Sequence, residues 1–116
     1  MKKSYIIVRT QFVGFHCWKE APMEVGFLKF SHRHIFHVEA KIPVTHDDRQ
    51  LEFFLVKDFL DTEIKVLFPI QQAAMPYSCE MIASKLLDTI SDKYGIKKDL
   101  SVAVYEDGEN GGMVEI

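Results

Sequence analysis

The hydrophobic pattern of the first half of the chain is mostly that of strands. Residues 4 to 13, SYIIVRTQFV, are rich in β-branched and aromatic side chains and predict a first strand. Residues 32 to 43, HRHIFHVEAKIP, predict a second strand that stops at Pro43, and residues 51 to 57, LEFFLVK, predict a third that forms a hairpin with it. Residues 14 to 31 show no clear period and predict a long loop, a feature that is often functional in a small domain.

Helical spacing dominates the next part of the chain. Residues 58 to 68, DFLDTEIKVLF, carry apolar side chains near helical spacing, and Asp58 is placed to cap this helix. After a connector that contains prolines, the stretch CEMIASKLLDTISDKYG carries an apolar stripe and predicts a second helix. Ser78 suits its N-cap and Gly95 its C-cap.

Two short strands close the pattern and set the fold class. Residues 100 to 106, LSVAVYE, alternate as a strand does, DGENGG forms a turn, and MVEI ends the chain as a short strand. The predicted order is β, β, β, α, α, β, β, which favours an α+β fold with an antiparallel sheet. The length of 116 residues predicts a single domain over residues 1–116.

Composition and charge exclude several classes of partner. The net charge is −3 and no cluster of lysine or arginine occurs, so we expect no nucleic-acid partner. No apolar run approaches the 18 residues of a membrane-spanning helix, so we expect no membrane partner. Two cysteines are too few for a disulfide framework and indicate free thiols in a reducing compartment, which predicts a cytoplasmic protein.

Histidines provide the candidate chemistry. His32 and His34 stand two residues apart in a predicted strand, so their side chains should project from the same face, whereas His37 should face away. If the first two strands are antiparallel neighbours, His16 falls beside this pair, and Cys17 is an alternative ligand on the same segment. A catalytic zinc site typically has three protein ligands and an open position. Many pairs of histidines with this spacing are not metal ligands but ordinary surface or core residues.

Five segments resemble, in the same order, the motifs of the 6-pyruvoyl- and 6-carboxytetrahydropterin synthases. They are FVGFHCW, SHRHIFHVEAKI, LVKDF, YSCEMIASKLL and VAVYEDG, and they span nearly the whole chain. His32-Arg33-His34 stands where the family has His-Gly-His. Ser78 and Glu80 stand where it has a threonine and a glutamate at a helix start, and Glu106 stands where it has a glutamate that anchors the ligand.

The resemblance implies a fold, a metal and a ligand. It implies a tunnelling fold, an antiparallel sheet with two helices packed on one face, whose subunits join into an oligomeric barrel as trimers or hexamers with sites between subunits. It implies a zinc ion on His16, His32 and His34, and a Glu106 carboxylate that accepts N–H bonds from a pterin or purine-like ring. The same pocket would be lined by Ser78, Cys79 and Glu80.

The activity implied is that of a zinc-dependent carbon–oxygen or carbon–carbon lyase acting on a dihydroneopterin triphosphate-like pterin. The proton relay of the family is missing, however. Leu28 occupies the place of the family's catalytic cysteine, and no histidine follows His46 to form its Asp-His pair. Glu24 and Cys17 are the candidate substitutes for the base. The alternatives are a non-catalytic pterin-, purine- or nucleotide-binding module on the same fold, and a structural oligomer with a vestigial site.

Simpler roles remain open for several of these residues. Ser78 and Glu80 also suit the N-terminus of a helix, and Glu106 also suits a solvated strand end. His37 and His46 are expected to be structural or exposed. Aromatic side chains in the long loop and at its end would either stack on a planar ligand or belong to the core: Trp18, Phe27 and Phe30.

Overall fold

The computed structural model describes residues 1–70 and 74–116 and contains an antiparallel sheet with two helices packed against it. This confirms the predicted α+β class. The strands lie in the sheet in sequence order, β1-β2-β3-β4. In chain order the elements are β1 (Ser4–His16), a 3-10 helix (Met23–Lys29), β2 (His32–Val44), α1 (Phe53–Leu67), α2 (Cys79–Tyr94), β3 (Ser101–Glu106) and β4 (Asn110–Glu115).

The register of the sheet decides which residues meet at its ends. The strands β1 and β2 pair along their full length, from Ser4 opposite Val44 to His16 opposite His32. The strand β3 is shorter and pairs only with the middle of β2, so that Glu106 lies opposite Phe36. The last residue of β1, the first residues of β2 and the end of β3 therefore lie at the same end of the sheet.

The core lies between one face of the sheet and the two helices. Alternate residues of β2, from Phe36 to Ile42, are fully buried, as the strand period requires. Helix α2 covers β3 and β4 with Ile82, Leu86 and Ile90, all of them fully buried. His32 and His34 lie on the same face of β2 as these apolar residues, at the start of the strand. The core therefore adjoins the polar end of the sheet.

The third predicted strand is wrong, because residues 53 to 57 form the first turns of α1. Glu52 caps this helix by accepting a 3.0 Å hydrogen bond from the Leu55 N–H, and Asp58, the predicted cap, lies inside the helix. A short apolar run has no period that separates a strand from a helix. The burial of Val56, Leu60 and Ile64, spaced by four residues, shows that the helix period applies.

The second helix is confirmed with both of its caps. The Ser78 hydroxyl accepts a 3.1 Å bond from the Met81 N–H, and Gly95 adopts the left-handed conformation with φ 66° at the C-terminal end. The connector predicted between the helices includes residues 71 to 73, which lie outside the described residues.

The largest boundary differences from the prediction lie after β1 and at the start of β4. The strand β1 extends to His16, and the predicted loop after it contains a 3-10 helix. The strand β4 begins at Asn110, inside the stretch predicted as a turn, so the turn is reduced to residues 107 to 109.

Within residues 1–70 and 74–116, neither helix has the length and apolar character needed to cross a membrane.

Candidate metal centre

Four polar side chains converge at the end of the sheet where β1, β2 and β3 meet. His16, His32, His34 and Glu106 each offer one ligand atom, and these atoms all lie within 4.8 Å of one another. The imidazole ring centroids are 4.4 to 5.1 Å apart. The structure thus brings together His32 and His34, as their spacing predicts, and His16, as an antiparallel neighbour predicts. It adds Glu106, the carboxylate that the resemblance assigned to the ligand.

Each of the three imidazole rings uses its Nδ1 atom to contact a group that can only accept a hydrogen bond. His16 Nδ1 lies 2.9 Å from the Tyr77 carbonyl oxygen, His32 Nδ1 lies 2.8 Å from the Phe30 carbonyl oxygen, and His34 Nδ1 lies 2.7 Å from a carboxylate oxygen of Asp107. Each Nδ1 must therefore carry the proton, which leaves Nε2 of the neutral ring with a free lone pair. This arrangement behind the ring is the one that metal-binding histidines almost always have.

The Nε2 atom of His16 has no hydrogen-bond partner among the described residues, although it is buried. It lies 3.0 Å from Glu106 Oε2, but a neutral ring that carries its proton on Nδ1 has no Nε2–H to donate to this oxygen. A lone pair and a carboxylate oxygen that face each other repel unless a cation lies between them. Burial lowers the pKa of His16, which favours the neutral ring and leaves the Nε2 lone pair available to a metal ion.

The distances between the ligand atoms suit a small tetrahedral ion. Bonds of about 2.0–2.1 Å in a tetrahedron separate the ligand atoms by about 3.3 Å. Glu106 Oε2 lies 3.0 Å from His16 Nε2 and 3.4 Å from His34 Nε2, which is already close to that spacing. The donor set therefore fits a metal ion.

The elements that build the cluster are held in register by backbone bonds. Met75, in the segment before α2, forms a bridge beside the end of β1: its N–H donates to the Phe15 carbonyl at 2.9 Å, and its carbonyl accepts from the Cys17 N–H at 3.1 Å. This bridge brings the Tyr77 carbonyl within reach of His16. On the other side of the cluster, the Asp107 N–H donates to the Ile35 carbonyl at 2.7 Å and fixes the β3–β4 turn to β2.

A cavity of about 440 Å³ opens beside the cluster. His16, His32 and Glu106 form part of its wall, and the N-terminal end of α2 faces them. All three helix-start residues predicted to line a pocket, Ser78, Cys79 and Glu80, do line this one. The rest of the lining consists of Cys17, Trp18, Leu28, Pro76, Tyr77, Met81, Asn110 and Gly111.

The N-terminal end of α2 brings a thiol and a carboxylate to the wall of the cavity. Burial, together with the charges of Glu106 and Glu80, raises the pKa of Cys79 to about 12. Cys79 is therefore a neutral thiol near pH 7 and a poor base. Glu80 lies against Gly112 of β4, where an added Cβ would come within 2.6 Å of the Glu80 side chain, so the missing side chain at Gly112 makes room for this carboxylate.

The predicted bases have different positions. Cys17 directly follows His16 and lines the cavity. Glu24 is exposed in the first turn of the 3-10 helix, does not line the cavity, and is not brought to the cluster. Leu28 lines the cavity, and its carbonyl accepts a 2.7 Å bond from the Trp18 N–H. Leu28 therefore contributes an apolar residue, which cannot transfer a proton, to the cavity wall.

The other aromatic residues and histidines that the sequence analysis considered lie away from the core. Phe27 and Phe30 are about 70% exposed and are not part of the core, while Trp18 is half exposed at the cavity wall. His37 lines a separate shallow cavity on the other face of β2, as its parity predicts. His46 lines a cavity of about 500 Å³ at the opposite end of the β1–β2 pair. That cavity is larger, but it does not contain the cluster of ligand atoms.

Sequence reasoning missed two roles in this site. It assigned Glu106 to ligand binding but not to the metal cluster, and it read Asp107 only as part of a turn. Both roles depend on the pairing of β3 with β2, which places Glu106 opposite Phe36 and the following residue beside Ile35. An acidic pair at a strand end was the only signal in the sequence.

Comparison with protein-family models and with curated proteins finds no match to this chain.

Proposed function

We propose that this protein binds one zinc ion through His16, His32 and His34 and holds a pterin or purine-like ring in the cavity beside it. The observation that carries the proposal is the arrangement of the three imidazoles. Each Nδ1 atom contacts a hydrogen-bond acceptor, and each ring offers a ligand atom within 4.8 Å of the other ligand atoms, which include an oxygen of Glu106. Zinc is the ion proposed because it favours imidazole nitrogen in four-coordinate sites and accepts one carboxylate.

The proposal of a flat nitrogen-rich ligand is supported by the shape and chemistry of the cavity. Its volume of about 440 Å³ lies within the usual range for small-molecule sites. The carboxylates of Glu80 and Glu106 line it and are suited to accept N–H bonds from an amino-pyrimidinone edge. The half-exposed indole of Trp18 offers a face for stacking. The resemblance of the sequence to the tetrahydropterin synthases points to the same class of ligand.

In the catalytic version of the proposal, the protein is a lyase of the tetrahydropterin synthase type. Zinc, when bound, polarises side-chain oxygens of the ligand. The carboxylates of Glu80 and Glu106 orient the ring, and Cys17, beside His16 at the cavity wall, is the thiol placed to move a proton. In this version Glu106 binds the ring and not the metal, because a metal held by three histidines and Glu106 has no open position.

A non-catalytic binding module is the second candidate, and it is favoured by Leu28. An apolar side chain lines the cavity where the family has its base, and it cannot transfer a proton. The neutral thiol of Cys79 does not replace it, since its pKa is about 12. In this version the four ligand atoms close the coordination of the metal, and the cavity only holds the ring.

Assembly and location form part of the same proposal. The strands β1 and β4 lie at the two edges of the sheet, and apolar side chains on its outer face, such as Ile7 and Met113, are more than half exposed. Open edges and exposed apolar side chains support the proposed trimer or hexamer, in which sheets join edge to edge into a barrel with a tunnelling fold. The two free thiols, Cys17 and Cys79, support a cytoplasmic location.

The test is incubation of the zinc-loaded protein with dihydroneopterin triphosphate, followed by chromatography of the pterins and by equilibrium binding measurements. A catalytic protein consumes the substrate, and a binding module retains it unchanged at one molecule per chain. His32→Ala abolishes consumption of the pterin in the catalytic version and its retention in the binding version, because it removes a ligand atom from the cluster. The matched control is His37→Ala, five residues further along β2 on the opposite face, which should behave as the wild type.

Two outcomes contradict the proposal. If the zinc-loaded wild-type protein neither converts nor retains the pterin, the assignment of the ligand fails. If His32→Ala retains as much pterin as the wild type, the ligand binds away from the histidine cluster.

A further inference from the structure

Asp107 stands behind His34, outside the cluster of ligand atoms. Its Oδ2 atom lies 2.7 Å from His34 Nδ1, and its Oδ1 atom accepts a 2.9 Å bond from the Ile35 N–H. The Asp107 N–H in turn donates to the Ile35 carbonyl at 2.7 Å. Three bonds thus join a residue of the β3–β4 turn to two consecutive residues of β2.

The backbone of the turn is shaped to make these bonds. Asp107 and Gly108 both adopt the left-handed conformation, with φ of 55° and 73°, and the Glu109 N–H closes the turn on the Glu106 carbonyl at 2.9 Å. Aspartate is one of the few residues other than glycine that tolerates this conformation. Glu106 and Asp107 are consecutive, so one short segment carries a carboxylate into the cluster and another to the rear of one of its histidines.

We propose that Asp107 is a positioning residue, which fixes His34 in the tautomer and orientation that its Nε2 atom needs to bind the metal. The inference rests on the proposed zinc site. A carboxylate at this place can only accept, so the His34 proton is held on Nδ1 and the lone pair of Nε2 faces Glu106, 3.4 Å away. His16 and His32 donate to backbone carbonyls instead, so His34 is the ligand whose tautomer depends on a replaceable side chain.

Asp107→Asn is the informative variant. Asparagine tolerates the left-handed backbone and keeps the size of the side chain, but it has one oxygen for two incoming donors. If that oxygen keeps the bond from Ile35, the amide NH₂ donates to His34 Nδ1 and drives the proton of the ring to Nε2. If it turns to His34, two N–H groups face each other at Ile35. In both arrangements the metal site loses part of its preorganisation.

Zinc affinity measured by competition with a chelator should fall by a factor of about 10 to 100 in Asp107→Asn, the usual effect of removing such a partner. The matched control is Asp99→Asn, which makes the same substitution at another left-handed residue, φ 63°, paired with Lys3 and outside the cluster. It should leave the zinc affinity within about twofold of the wild type. Circular dichroism of both variants checks that the fold is kept.

The tautomer of His34 gives a second readout that needs no metal. In the metal-free wild type at pH 7.5, ¹⁵N chemical shifts should show His34 protonated at Nδ1, and Asp107→Asn should show protonation at Nε2 in at least part of the population. If the wild type binds zinc and Asp107→Asn binds it equally well, the inference is overturned while the zinc site stands. If the wild type does not bind zinc, the proposed function fails, and a His34 protonated at Nε2 in that protein would overturn the inference as well.

Discussion

In each histidine of the cluster, the hydrogen-bond acceptor at Nδ1 determines the tautomer of the ring. A carbonyl or carboxylate oxygen at 2.7 to 2.9 Å holds the proton on Nδ1, and the same contact orients the ring toward the other ligand atoms. The burial that lowers the pKa of His16 keeps that ring neutral and ready to bind a metal. At the residue scale, the histidines therefore already have the tautomer and the orientation that metal binding requires.

The thiol of Cys79 gives a prediction at the same scale. Burial raises its pKa from the ordinary value of 9.0 to about 12, which reduces the thiolate fraction about 1,000-fold at pH 8. In a Cys17→Ser background, where Cys79 is the only thiol, alkylation by iodoacetamide at pH 8 should be about 1,000-fold slower in the folded protein than in urea. Mass spectrometry measures both rates. Equal rates would show that the thiol is accessible and ionised, and would make Cys79 a candidate base.

That the three histidines lie together could be predicted from the sequence, but the positions of Glu106 in the cluster and of Asp107 behind His34 could not. The spacing of His32 and His34 fixes their common face whatever the sheet looks like, and an antiparallel neighbour brings His16 beside them. The positions of Glu106 and Asp107 depend instead on the register between β2 and β3, two strands separated in sequence by both helices. No local pattern specifies a register over that distance.

At the scale of the elements, α1 shows where a local pattern misleads. The run FFLV at residues 53 to 56 is apolar throughout, yet three of its four side chains, those of residues 53 to 55, are more than half exposed and only Val56 is buried. The helix is instead specified by residues at intervals of four, which contact the core, and by the cap at Glu52. Helix α2 was predictable because its stripe, its N-cap and its C-terminal glycine all agree.

The face that α1 buries can be tested with two leucines five residues apart. Leu60 is fully buried, so Leu60→Ala should reduce the free energy of unfolding by about 2–5 kcal/mol. Leu55 is 71% exposed, so Leu55→Ala should change it by less than about 0.5 kcal/mol. Urea unfolding curves of the two variants and the wild type give both numbers. A larger cost at Leu55 than at Leu60 would mean that the helix turns its other face to the sheet.

For the molecule as a whole, the site exists because elements distant in sequence end at one place. The end of β1, the start of β2, the end of β3 and the N-terminal end of α2 all contribute to the cavity wall or to the cluster. The α+β class followed from the order of predicted elements, although one strand was misassigned. The order of predicted elements did not show that these ends meet at one site, because the packing of the core between the sheet and both helices determines where they lie.

The long β1–β2 pair also gives the molecule its shape. The two strands pair over 13 residues each, and the molecule extends 49 Å in its longest direction but only 22 Å in its shortest. Such a sheet leaves much of its outer face exposed and has β1 and β4 as edge strands, of which β1 is covered by the Met75 bridge only at its end. The proposed barrel of several subunits would cover these edges.

The most direct test of the account is X-ray absorption at the zinc edge of the reconstituted protein. We expect one zinc per chain, surrounded by three imidazole nitrogens at about 2.0–2.1 Å and one oxygen at about 2.0–2.2 Å. A shell that contains sulfur at about 2.3 Å, or fewer than three imidazoles, would contradict the assignment of His16, His32 and His34 as the metal ligands.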